Sequence, residues 1–118
     1  MPNREDAIRL RHMLDAAQKA MGYAGGRTRS DLDEHELFAL ALVRLLEVLG
    51  EAAKQVSQEF RDTHSAIAWK QIAGTRDGLI HGYFDVDFDI VWAIVTVDLP
   101  PVAEALQQMI EEVQEFEE

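Results

Sequence analysis

A chain of 118 residues with 47% hydrophobic and 28% charged content is sized for one globular domain with a real core, which excludes a disordered segment. It contains no cysteine, so neither a disulfide framework nor a thiolate metal site is available to it. The formal charge of −11 is lopsided: residues 1–76 hold 11 acidic and 11 basic residues, while residues 77–118 hold the other 11 acids and no Lys or Arg, which excludes a uniformly basic nucleic-acid-binding face.

Any polyanion must therefore bind locally, near Arg76 and the cations of the first half. The acidic second half would attract a basic partner, or it is a solvated helix face. The opening MPNREDAIRLRHML lacks the apolar segment of a signal peptide. The most apolar run, Leu37 to Leu49, is too short to span a bilayer and is interrupted by Arg44 and Glu47. The expectation is a soluble cytoplasmic protein, a single domain over residues 1–118, with no membrane partner.

Apolar residues recur at helical spacing almost throughout. The first helix is predicted from about Glu5 to Met21, with Ile8, Leu10, Met13, Leu14, Ala17 and Met21 as its stripe. Gly22 to Gly26 breaks it. Ser30 or Asp31 opens a long second helix through about Phe60, with Asp33, Glu34 and Glu36 suited to its positive end. Between Leu37 and Leu49 that helix is apolar nearly all round, so a second subunit is expected to cover part of it, with Arg44 and Glu47 pairing one turn apart. The alternative is a buried central helix in a monomer. Ala66 to Ile72 reads as a brief helical turn anchored by Trp69, followed by a helix carrying RDGLIHGY. Phe84 to Asp89 is a loop into the apolar segment Ile90 to Val97. Asp98 with Pro100 and Pro101 marks the start of a last helix to about Phe116, with Leu106, Met109, Ile110, Val113 and Phe116 on one face. The predicted fold class is all-α, an up-and-down bundle.

The chemistry concentrates in Arg76-Asp77-Gly78-Leu79-Ile80-His81-Gly82-Tyr83. On a helix Asp77 faces His81, while Arg76 and His81 are splayed by about 140°. Regular geometry does not aim them at one atom, unless the arginine reaches around or a second chain completes the site across a two-fold axis. A carboxylate at Asp77 would favour the protonated imidazole and orient it, His81 would act as general acid or base, and Arg76 would hold a phosphate. That set suits RNA cleavage by a 2′-hydroxyl on its neighbouring phosphate, and no cofactor or metal is expected. The competing reading has His81 capping or packing near a helix end and Arg76 in a surface ion pair. Asp85, Asp87 and Asp89 read as turn and N-cap residues, since no Gly or Glu follows at calcium-loop positions. His12, His35 and His64 read as surface or capping residues, and Trp69, Phe84, Phe88 and Trp92 as core.

The pattern Arg-x4-His-x-Tyr in Arg76, His81 and Tyr83 resembles the signature of HEPN-superfamily toxins of the HepT type. REDAIRLRHMLDAA, LEVLGEAAKQVSQEFR, AWKQIAGTRDGLIHGYFDVDFDIVW and TVDLPPV resemble segments of that family in matching order. One position departs: family members usually carry asparagine where this chain has Asp77, which bears on the histidine pKa and on phosphate binding. The resemblance implies a HEPN-like helical bundle, a homodimer whose two motifs meet between subunits, and a toxin of a toxin–antitoxin pair acting on RNA as a metal-independent endoribonuclease. By position it makes Arg76 and His81 catalytic, with Asp77 supporting His81. Tyr83 would be the acceptor of AMP added from ATP by an MntA-type nucleotidyltransferase antitoxin. AMP there would add negative charge and bulk beside Arg76. Two rivals remain: a non-catalytic helical module that binds a nucleotidyltransferase and positions nucleotide or substrate, and an inactive dimerisation scaffold.

Overall fold

Leu10, Met13, Leu14 and Ala17 fall on one side of the first helix at three- and four-residue spacing, and all are buried. In the computed structural model, which describes residues 4–75 and 86–117, that helix is α1 (Arg4–Ala24). Ile8 was expected in the same stripe and is instead 42% exposed. It lies two residues from Leu10, about 200° around the helix, and so points outward. Ala16, Ala17 and Ala20 are buried in the same face. Their small side chains let a neighbouring helix approach closely.

That neighbour is α3 (Glu36–Gln55), which follows the short α2 (Asp31–Glu34). The two long helices run antiparallel: Asp6 near the start of α1 meets Ser57 just beyond α3, and Arg27 just beyond α1 lies 4.8 Å from the ring of Phe38 near the start of α3. The bundle continues through α4 (Gln58–Thr63), α5 (Trp69–Ala73), α6 (Phe88–Ala93) and α7 (Leu99–Glu117). α1 packs on both α3 and α7, and α5 packs on α3. The architecture is the all-α bundle read from the sequence. No helix among the described residues is long and apolar enough to cross a membrane.

The single helix expected from Ser30 or Asp31 to Phe60 is three helices. The first break is at His35, whose backbone is extended at φ −125° and ψ 93°. Neither Gly nor Pro stands there, so no local breaker announces it. The second break, at Val56 and Ser57, has a tertiary cause. Asp6 is 2% exposed and accepts hydrogen bonds from the Ser57 N–H at 2.8 Å and its hydroxyl at 2.7 Å. Ser57 in turn caps α4 by accepting the Phe60 N–H. Arg61 then reaches back, donating to the carbonyls of Val56 at 3.0 Å and Lys54 at 2.8 Å, and so occupies acceptors that the end of α3 leaves open.

The apolar segment before the last helix joins it without a break. Between α6 and α7 the backbone forms a π turn over Ile94–Asp98, with the Leu99 N–H bonded to the Ile94 carbonyl. Pro100 and Pro101 follow directly in α7 and cannot donate to the turn behind them, which is where the backbone takes the wider π form. Leu106, Met109, Ile110 and Val113 form the buried face of α7, as the spacing requires. The side chain of Phe116 lies outside the description.

Candidate functional site

Arg76, Asp77, His81 and Tyr83 all fall within residues 76–85, outside the described residues, as do Phe84 and Asp85. What the fold supplies is the pair of anchors on either side of them. On the near side, α5 ends at Ala73, with Gly74 and Thr75 leading into the segment. Trp69, 7% exposed, holds α5 in place: its indole N–H donates to the His64 carbonyl at 2.8 Å, and its ring meets Phe60 edge-on. His64 stacks on Phe60 with ring centroids 3.9 Å apart and occupies the C-cap of α4. Its ring is thus built into the fold.

Beneath α5 lies Gly50 of α3. A Cβ there would sit 3.0 Å from the Ile72 carbonyl oxygen and 3.6 Å from that of Ala73. The backbone of α5 therefore rests directly on α3, a contact that admits glycine alone without a shift. Sequence reasoning missed Gly50, because a glycine inside LLEVLGEAAK looks like a tolerated helix residue. Only the close approach of another backbone gives it a role.

On the far side, Asp87 caps α6, its carboxylate accepting from the N–H groups of Asp89 and Ile90, as expected of a turn and cap residue. Asp89 forms an ion pair with Arg29 at 2.7 Å, and the same guanidinium reaches Asp33 at 3.0 Å. The hydrogen bond to Asp89 raises the Arg29 pKa above its ordinary value. Both contacts lie at the surface, so added salt would screen them. Phe88 and Trp92 are half-buried against the core, as read from the sequence.

The remaining histidines fit their bland assignments. His35 is exposed beside Asp31 at 3.6 Å, and His12 is exposed on α1. Among the described residues, ligand atoms of Asp31, Glu34 and His35 gather within 4.8 Å of one another. Asp31 already accepts the Thr28 N–H at 2.8 Å, so this group reads as a helix-opening turn.

The outer surface of α3 is the second feature of note. Phe38, Leu42, Val43, Leu46 and Leu49 are buried within the chain, but Leu37 is 84% and Leu40 58% exposed. They share a face with Arg44, which pairs with Glu47 at 3.4 Å as anticipated. The bundle thus covers most of the apolar helix by itself and leaves a narrower outer stripe.

The model of the HepT-like family, described as ribonuclease HepT-like, matches residues 13–109. The chain belongs to that family. It is 34% identical over 102 residues to a protein of Caldanaerobacter subterraneus subsp. tengcongensis named a candidate RNase, covering 86% of this chain and 91% of that one. It is 34% identical over 105 residues to a Methanocaldococcus jannaschii protein whose name joins a gamma-glutamylcyclotransferase to a candidate RNase, covering 89% of this chain and 47% of that longer one. A Thermococcus cleftensis protein named a probable HepT ribonuclease is 43% identical over 60 residues, or 51% of this chain and 54% of that one. No solved structure matches significantly. The family match takes in residues 76–85 together with the anchors on both sides.

Proposed function

We propose that the chain is a metal-independent endoribonuclease, the toxin of a toxin–antitoxin pair, acting as a homodimer with its site between subunits. The observation that carries this reading is that the family match spans the positions of Arg76, His81 and Tyr83, which this chain retains. Arg76 binds the scissile phosphate and offsets charge developing on it. His81 takes the proton of the attacking 2′-hydroxyl or returns one to the departing 5′-oxygen. The 2′-oxygen forms its bond to phosphorus as the bond to the 5′-oxygen breaks, leaving a 2′,3′-cyclic phosphate and a 5′-hydroxyl. Asp77 orients His81, and Tyr83 accepts AMP from a nucleotidyltransferase antitoxin, which silences the site.

The homodimer draws support from the outer stripe of α3. Leu37 and Leu40, exposed in the single chain, are apolar surface that a second copy would remove from water. A two-fold partner would also answer the geometric difficulty that Arg76 and His81 diverge on a regular helix. The runner-up, a non-catalytic module that docks a nucleotidyltransferase, draws on the acidic residues 77–118.

The test is cleavage of total cellular RNA in EDTA by the purified protein beside His81→Ala, after intact mass has shown Tyr83 to be unmodified. The expected result is cleavage by the wild type and a loss of about 10²–10⁴-fold in the variant. Equal cleavage by both, or none by unmodified wild type, would move the docking module to first place.

A further inference from the structure

RNA carries one negative charge per nucleotide, and residues 77–118 offer no cation to meet it. The phosphates flanking the cut must be held by Arg76 and by cations of the first half. Several of those are already engaged. Lys19 pairs with Asp15 at 3.0 Å, and Arg29 is held between Asp33 and Asp89. Arg61 is spent on two backbone carbonyls, and Arg27 lies over Phe38.

A different situation holds in the open groove between α1 and α3. Arg9, His12 and Arg44 line it together with Gln55, against one carboxylate, Glu51. Among the described residues Arg9 and His12 have no hydrogen-bond or ion-pair partner. Arg44 is 73% exposed and only loosely tied to Glu47, at 3.4 Å. The other described grooves differ: one beside α2 carries Asp33 and Glu36, one along the π turn is mainly apolar, and one by α4 and α5 sets Lys70, and an Arg61 already bonded to backbone carbonyls, against Asp62.

We infer that this groove is a track for the RNA backbone, with Arg9 and Arg44 holding phosphates and Gln55 donating to them. The inference rests on the ribonuclease reading and extends it to residues outside the motif. Arg44 belongs both to the groove and to the outer side of α3. In a dimer closed over that stripe, the grooves of the two subunits would flank the interface and lead RNA toward a site shared between them. Glu51 limits the charge of the track, which suits single-stranded RNA with its lower charge density better than a duplex.

The experiment measures the affinity of a fluorescent single-stranded RNA for the His81→Ala protein as a function of salt, with wild-type cleavage in EDTA run in parallel. Arg9→Gln in that background is expected to lower the slope of log affinity against log salt by about 0.7, and Arg9→Gln with Arg44→Gln by about 1.4. Arg29→Gln, whose guanidinium already has two carboxylates, should leave the slope unchanged. Light scattering confirms that each variant keeps the wild-type mass. If wild type cleaves and the Arg9 and Arg44 variants keep the parent slope, the groove is overturned and the ribonuclease reading stands. If unmodified wild type neither binds nor cleaves RNA, both fall together.

Discussion

The two faces of α3 are made from similar residues and do different work. Toward α1, Leu42 and Leu46 are fully buried, and Gly50 lets α5 rest on the helix backbone. Away from α1, Leu37 and Leu40 face water beside Arg44. A leucine on the inner face stabilises the single chain, whereas a leucine on the outer face can contribute only through a partner. One helix thus serves as the spine of the bundle and as its proposed dimer surface.

That contrast can be broken most sharply from inside. Leu46→Ala removes a side chain that is 0% exposed and should cost about 2–5 kcal/mol by urea unfolding. Gly50→Ala forces a methyl group toward the Ile72 carbonyl and should cost about 1–3 kcal/mol. It should also reduce RNA cleavage beyond its effect on folding, because α5 leads into residues 76–85. Asp6→Ala strips two hydrogen bonds from Ser57 at the end of the same face and should cost a similar amount, about 1–3 kcal/mol, in thermal or urea unfolding. On the outer face, the double change Leu37→Ser and Leu40→Ser should move the unfolding free energy of the dilute chain by no more than about 0.5 kcal/mol. Light scattering should nevertheless show the mass falling from dimer to monomer. Should that variant unfold as readily as Leu46→Ala, the two faces would not be distinct.

Much of the bundle was legible because helical spacing is a local signal. Leu10, Met13, Leu14 and Ala17, and later Leu106, Met109, Ile110 and Val113, are buried where periodicity places them. Of the boundaries inside the long middle segment, the one at Ser57 was not legible because its cause is elsewhere. The break at Ser57 depends on Asp6, 51 residues away, and nothing near Val56 reveals that carboxylate. The prolines suggested a fresh helix start, and α7 does begin at Leu99. The π turn that joins it to α6 was not read from them. Gly50 was invisible for the same reason as Ser57, since its meaning lies in a distant backbone. The motif itself was read by residue chemistry and family resemblance, two local properties of the chain. In the proposed function, how its side chains meet depends on a partner subunit, which no spacing rule can supply.

The measurement that bears most directly on a site shared between subunits is a mixing experiment with Arg76→Ala and His81→Ala proteins. Each alone should be inactive against RNA in EDTA. After subunit exchange, verified by native mass spectrometry, a site built from Arg76 of one subunit and His81 of the other is intact on one side of each heterodimer. Statistical mixing then predicts recovery of about a quarter of wild-type activity. Exchange without recovery would contradict a site that joins Arg76 of one subunit to His81 of the other.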